Sequence, residues 1–269
     1  MACKLGDIID SVKEIIPSEL SEDWDNSGLQ IGDRNWLVEK IWVALDPLPE
    51  VIGSACQDGV GLVITHHPLI FKPLANIDVN TFEGSVIQQA LAHRVAVFSA
   101  HTNLDKVQAG VNDVLAARIG LSDIFPLTMD AASGKPGFGR VGELVSPLPL
   151  YEFAHKLKKT LNLAHVKMAG NLEMDVRSVA VCSGSGSSMI PAFLESGADA
   201  FVSGDLRYHD ARMFEFVRKA LIDIGHFASE HLIVESLADR LKHHFESSGL
   251  NLLVEAYPFE KDPFVILSE

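Results

Sequence analysis

The sequence predicts an α/β protein built as two related halves, each a mixed, largely parallel sheet flanked by helices. Three observations predict it. Short β-branched runs alternate with helical patterns on both sides of the chain's midpoint, which is the signature of crossover units. A Gly-, Pro- and Ser-bearing stretch at 130–137 separates the two alternations and reads as a loop or linker. A last β-rich run at 251–256 follows a long amphipathic helix and is expected to return to the first half.

Taken in order, Leu5, Ile8, Ile9, Val12, Ile15 and Ile16 keep helical spacing until Pro17 stops the helix. Trp24-Asp25-Asn26-Ser27-Gly28-Leu29-Gln30 is turn-rich. Strands at 40–46, 61–65 and 95–100 then alternate with helices at 49–58, 84–93 and 110–119. Past a boundary near 126–142, strands are expected at 140–145, 166–169, 178–182 and 200–202, with helices at 150–161, 189–196 and 210–220. One long helix is expected at 227–247, with Ile233, Leu237 and Leu241 along one stripe.

Composition narrows the function. At 269 residues, 47% hydrophobic and 22% charged, the chain supports real cores and is not of a disordered class. Its formal charge of −14 argues against a nucleic-acid footprint, which is normally basic. The N-terminal stretch lacks the pattern of a signal peptide, and no run approaches the ~20 apolar residues of a membrane span. Cys3, Cys56 and Cys182 lie far apart without a CxxC pair, which suits reduced thiols in the cytoplasm better than disulfides or zinc ligation.

The chemistry gathers at strand ends. One apolar run closes on His66-His67-Pro68, a second on His101 with Asp105 four residues on, and a third (221–225) on His226 with Glu230 four residues on. Ligands collect outside the carboxyl ends of parallel strands, so these three ends are expected to converge on one crevice. On an extended chain His66 and His67 point to opposite sides and would serve two ions rather than chelate one. His226 and Glu230 share one helical face if a helix starts near Gly225. Taken alone, His-His-Pro is most simply a hydrogen-bonding pair at a strand end, and a His four residues from an acid is common on solvated helices. Three such termini at once point instead to a metal site. Imidazole with carboxylate suits divalent Zn, Fe, Mn, Co or Ni rather than Ca or Mg. Two ions ~3.5–4 Å apart polarise an oxygen and acidify bound water, the equipment of a hydrolase.

Two further stretches face a choice of roles. The 182–188 segment, Cys-Ser-Gly-Ser-Gly-Ser-Ser, is either an anion cradle or an ordinary strand-to-helix turn. His209 is either a general acid or base near neutral pH or a helix cap. Lys72 and Arg207 are candidate phosphate partners or solvated side chains. His93, His155, His165, His231, His243 and His244 lack a convergent carboxylate and read as structural or surface residues.

The chain resembles the Nif-three-like dinuclear-metal family, whose members carry the name GTP cyclohydrolase 1 type 2 homologue. The matching stretches are Trp24-Asp25-Asn26-Ser27-Gly28-Leu29-Gln30, Thr65-His66-His67-Pro68, His101-Thr102-Asn103-Leu104-Asp105, Ser203-Gly204-Asp205 with His209, Gly225-His226 with Ser229-Glu230, and Asp262-Pro263-Phe264. They occur in the family's order from one end of the chain to the other. The resemblance implies two interlinked α/β domains, 1–125 plus 228–269 and 126–227, with two divalent transition-metal ions at their interface and assembly into a toroidal homohexamer. It implies His66, Asp105 and Glu230 on one metal, and His67, His226 and the same Glu230 on the other. It gives His101 and His209 a supporting or proton-transfer role. Val107-Gln108-Ala109-Gly110 stands where family members often carry a Gly-Gly pair, and 184–188 matches the family's glycine loop only approximately.

Beside a purely structural reading, a ring-forming adaptor with incidental metal, two functions compete on this footing. One is a metal-dependent hydrolase of a nucleotide or phosphorylated small molecule, a GTP cyclohydrolase-like reaction at C8 of guanine being one form. The other is a non-catalytic metal carrier, chaperone or regulatory scaffold.

Overall fold

The computed structural model describes residues 2–130 and 134–267; three residues of the expected connection, 131–133, lie outside the described residues. The chain divides into two compact units, Met1–Val107 with Ile233–Glu260, and Gln108–Leu232 with Lys261–Glu269.

In the first unit, β1 (Cys3–Lys4) leads into α1 (Leu5–Ile15), followed by β2 (Gly28–Ile31), β3 (Leu37–Val38) and β4 (Lys40–Ala44). Then come α2 (Pro49–Gln57), β5 (Leu62–Thr65), α3 (Phe82–His93), β6 (Ala96–Ser99) and the short α4 (Thr102–Lys106). β4, β5 and β6 pair in parallel, joined by α2 and α3. Pro49 opens α2 at its first turn, where a missing N–H costs nothing, and the Thr81 hydroxyl caps α3 by accepting from Gly84 N. Trp42, Ala44, Val63 and Val97 bury against Val51, Ile52, Val86 and Ile87. The alternate residues Ile41, Val43, Leu62 and Ile64 are buried too, as a sheet covered on both faces requires.

β2 is an addition to the sequence reading. Its turn-rich composition hides a strand that pairs antiparallel with the end of β6. Pairing with a neighbour, not intrinsic propensity, makes it a strand. Its consequence is functional, because it ties Trp24–Ser27 to the residues that follow β6.

The second unit begins with α5 (Val111–Arg118), β7 (Leu121–Pro126), β8 (Arg140–Pro149) and α6 (Leu150–Thr160). β9 (Lys167–Ala169), β10 (Asp175–Ser185), α7 (Ile190–Ser196), β11 (Ala200–Gly204), α8 (Tyr208–Val217), β12 (Ala220–Asp223) and α9 (His226–Glu230) follow. β7 and β8 pair antiparallel within this unit. The sheet order is β7-β8-β10-β11-β12-β9, with β10, β11 and β12 parallel and the outer strands antiparallel. Strand alternation sorts the core into two layers. Val179, Val181, Ala200, Val202, Ala220 and Ile222 pack with Leu150, Phe153 and Leu157. Ala180, Cys182, Phe201 and Leu221 pack with Ile190, Phe193 and Phe214. Cys182 therefore serves as a small core residue. Ala109 takes a φ of +56°, a conformation that favours glycine.

The chain then returns to the first unit through α10 (Leu232–Ser247) and β13 (Leu253–Ala256), which pairs parallel with β4. The terminal strand thus returns to the first sheet, as expected. The long helix expected at 227–247 is broken at His231 into α9 and α10. The Ser229 hydroxyl donates to the His226 carbonyl, and back-bonding of this kind bends helices. Among the described residues, no helix is long and apolar enough to cross a membrane.

Asp199 locks the entry of the three parallel strands in this second unit. Its backbone N–H donates to Ser178 O and its carbonyl accepts from Ala220 N, both at 2.9 Å. Its carboxylate accepts from Arg177 N, Ser178 N and the Ser178 hydroxyl. Burial pushes the Asp199 carboxyl up, but these donors and the nearby Lys219 outweigh it and hold it below its ordinary value. Asp199→Ala is expected to lower stability at pH 7 by about 1–2 kcal/mol. Because the folded value is depressed, that contribution is present above the unfolded carboxyl value of about 4 and fades as pH falls through the folded value. Urea unfolding of both proteins from pH 7 to pH 3 checks it; a constant difference across that range contradicts it.

Candidate metal centre

The metal-capable side chains are built on strand ends. In the first unit, β5 ends at Thr65 and delivers His66 and His67, while β6 ends at Ser99 and delivers His101 at the mouth of α4. The chain bends at 66–67, with the Thr65 hydroxyl donating to His67 O at 2.7 Å. The two rings consequently stand 5.0 Å apart, tilted at 46°, and not on opposite sides as an extended strand would hold them. His101 lies 5.2 Å from His66 and 5.7 Å from His67 between ring centroids. These three residues each offer a nitrogen, all within 4.8 Å of one another, a group able to hold a metal ion. Asp105, one helical turn into α4, places Oδ1 3.7 Å from His66 Nε2. Both His66 and Asp105 are buried.

In the second unit, α9 starts at His226 and carries Glu230 one turn later, with His226 Nε2 3.0 Å from Glu230 Oε2. The i, i+4 geometry expected from sequence is present. The Glu230 carboxylate is buried whereas His226 is partly exposed.

The fit to a metal lies in the other nitrogen of each ring. His66 Nδ1 lies 3.0 Å from the Ala100 carbonyl oxygen. Asp46 takes His67 Nδ1 at 2.8 Å, Asp25 takes His101 Nδ1 at 2.8 Å, and Asp205 takes His226 Nδ1 at 2.7 Å. A carbonyl or carboxylate oxygen only accepts, so each neutral imidazole donates from Nδ1 and carries its lone pair on Nε2. Carboxylate–histidine pairs of this kind orient imidazole ligands and raise their basicity. Among the described residues, four histidines at strand ends share this arrangement. The donor set is nitrogen and oxygen without thiolate, which suits divalent transition metals.

Asp25 is the most elaborate of these supports. Its carboxylate accepts from His101 Nδ1, the Ser27 hydroxyl, Thr102 N and the Thr102 hydroxyl. Burial raises its carboxyl, yet the His101, Ser27 and Thr102 hydrogen bonds overcome that and hold it well below the usual carboxylate range. It is therefore a fixed anion behind His101. Asp25 and Asp205 fall within the stretches that carry the family resemblance and Asp46 does not, but none of the three was paired with its histidine from the sequence. Their signal, an acid far along the chain from its histidine, has no spacing to detect.

The 182–188 stretch makes room as well as turning the chain. β10 continues through it to Ser185, and Gly184 N donates to the Ser229 hydroxyl at 2.8 Å. A Cβ at Gly184 would stand 2.2 Å from Glu230 Oε1, and one at Gly204 would stand 2.6 Å from His226 N. Two glycines thus let α9 lie directly against the ends of β10 and β11. His209 is exposed in the first turn of α8, its ring beside Tyr208. It does not cap that helix: Asp210 does, accepting from Arg207 N at 3.0 Å. Arg207 is itself paired with Asp210. His209 is not a member of the metal-capable groups among the described residues. Lys72 is exposed.

Two outcomes follow from this geometry. Asp46→Asn is expected to weaken metal binding about 10–100-fold, because the amide can present its donor to Nδ1 and no longer fixes the tautomer; titration with Zn or Mn checks it. Gly184→Ala, with φ at +64°, is expected to cost about 1–2 kcal/mol in backbone strain and to displace the Glu230 carboxylate. Thermal unfolding together with metal titration measures both effects, and wild-type values in each would contradict the packing argument.

Comparison with known proteins agrees with this architecture. The family model described as Duf34/NIF3 (NGG1p interacting factor 3) matches residues 3–263. The "GTP cyclohydrolase 1 type 2 homolog" of Clostridium perfringens is 33% identical over 261 residues, covering 97% of this chain and 98% of that protein. The protein of the same name from Streptomyces coelicolor is 33% identical, covering 97% and 93%. Among solved structures, Staphylococcus aureus protein SA1388 superposes with a TM-score of 0.92 at 28% identity, covering 98% and 99%. Reduced HcgD from Methanocaldococcus jannaschii does so at 0.81 and 30%, covering 96% and 99%. With one family model spanning nearly its whole length and relatives that match end to end, the chain belongs to the Duf34/NIF3 family.

Proposed function

We propose that this protein is a metal-dependent hydrolase of a nucleotide or related small molecule, working from a two-metal centre. In this reading His66, Asp105 and Glu230 hold one ion, and His67, His226 and Glu230 hold the other. The observation that carries it is the His66 and His67 pair at the end of β5, each with Nδ1 fixed by an acceptor. The His226–Glu230 pair of the second unit supplies the same chemistry with its own fixed Nδ1. Names of relatives such as the Clostridium perfringens protein support a nucleotide as the substrate class.

The work of the chain's own residues follows from their supports. Divalent transition-metal ions, when bound, supply Lewis acidity that polarises a substrate oxygen and acidifies water. Asp46, Asp205 and the Ala100 carbonyl hold three imidazoles in the ligating tautomer, and Glu230 brings negative charge to a buried position. His101, backed by the fixed Asp25 anion, holds or moves a proton at Nε2. His209, exposed at the start of α8, is the second candidate for proton transfer in this reading. The same reading places the protein in the cytoplasm as a homohexamer.

The decisive experiment combines elemental analysis with turnover of a nucleotide panel. Wild-type protein is expected to carry two transition-metal ions per chain and to lose activity on chelation, with recovery on adding metal back. Glu230→Ala is expected to lose both metal and turnover. Metal retained without turnover, together with its transfer to an apo-acceptor, would replace hydrolysis with metal carriage. Light scattering is expected to give a mass near six chains; a clean monomer contradicts the assembly.

A further inference from the structure

Two large aromatic side chains stand exposed beside the three-histidine group, and the site's ligation chemistry leaves them without a task. Trp24 is 58% exposed and Phe71 is 48% exposed. Their ring centroids are 6.0 Å apart with planes inclined at 56°, so the two rings are not stacked in parallel. Each lies 6.3 Å from His101 and nearly perpendicular to it, at 81° and 79°. Both rings therefore stay about half exposed within one ring contact of His101.

The wall is built, not incidental. Asn26 donates from Nδ2 to Ile70 O at 2.5 Å, and Ile70 N donates to Gln30 Oε1 at 3.2 Å. Gln30 Nε2 in turn donates to Asn26 O at 2.6 Å. The Trp24 turn and the Phe71 loop are thus clipped together. On the other side of Trp24, buried Asp25 is anchored to His101 and Thr102. A heteroaromatic base has a π-face that stacks on Trp or Phe whatever its ring substituents.

We infer that Trp24 and Phe71 form the ring-binding wall of the site, recognising the planar heteroaromatic part of its substrate and turning that ring's edge toward His66, His67 and His101. The inference rests on the hydrolase reading above and adds the substrate's recognised part, a nucleobase-like ring.

The test titrates metal-loaded full-length protein with GTP, ATP and UTP, and with tripolyphosphate as the ring-free control, following tryptophan fluorescence. Trp24→Phe separates the Trp24 signal from that of Trp36 and Trp42 and, keeping an aromatic face, is expected to bind within a few-fold of wild type when binding is read by calorimetry. Nucleotide is expected to quench Trp24 where tripolyphosphate does not. Trp24→Ala and Phe71→Ala are each expected to weaken nucleotide binding by roughly 5- to 100-fold, with metal content by elemental analysis unchanged. Wild-type nucleotide affinity in both alanine variants with metal in place would overturn the inference, as would no ring-dependent quenching across the panel. Loss of an assembly in those variants with nucleotide affinity intact would also overturn it, making the wall a contact between copies of the chain. Wild-type protein that holds no metal would remove the underlying reading and the inference with it, and elemental analysis separates that outcome from failure at the wall alone.

Discussion

Among the described residues, four imidazoles at strand ends give their Nδ1 hydrogen to a fixed oxygen, three of them to an aspartate, and the site's other properties follow from that constraint. A histidine at a strand end has two tautomers and a freely chosen ring flip. A carboxylate behind Nδ1 removes both freedoms at once. It decides which nitrogen presents a lone pair and where that lone pair points. Asp25, Asp46 and Asp205 perform this for His101, His67 and His226, and the Ala100 carbonyl does so for His66. The acidic balance of the chain is in part a consequence: ligand orientation draws on carboxylates beyond those that would bind an ion.

The second requirement is close approach of backbone. Glu230 can occupy a buried position against β10 only because residue 184 has no Cβ, and α9 can begin beside β11 only because residue 204 has none. Ser229 completes the arrangement by accepting from Gly184 N and donating to His226 O. The same hydroxyl that anchors α9 interrupts the helix that was expected to run on from it. The break at His231 is therefore part of what sets the Glu230 carboxylate and not a defect in an otherwise continuous helix.

The aromatic face beside His101 has its origin in β2. That edge strand draws the Trp24–Ser27 turn against the end of β6, buries Asp25 and leaves Trp24 outside. One short antiparallel pairing thus supplies both the anion that orients His101 and the ring that stands next to it.

Much of this was legible in the residues themselves. Alternating strand and helix patterns located the parallel strands, since β-branched runs and 3.6-residue spacing are local properties. The strand-end histidines, and the i, i+4 relation of His226 and Glu230, were readable for the same reason. Tertiary structure alone decided the remainder. β2 became a strand through its partner; His66 and His67 turned their rings together because the chain bends after Thr65; the 182–188 segment proved to be packing room for Glu230. The pairing of each aspartate with its histidine was invisible because hydrogen-bond partners 21 to 76 residues apart are brought together by sheet order, which no local pattern encodes. The sequence by itself determined which imidazoles and carboxylates stand at strand ends, and the folded chain decided which nitrogen of each imidazole is held by its support.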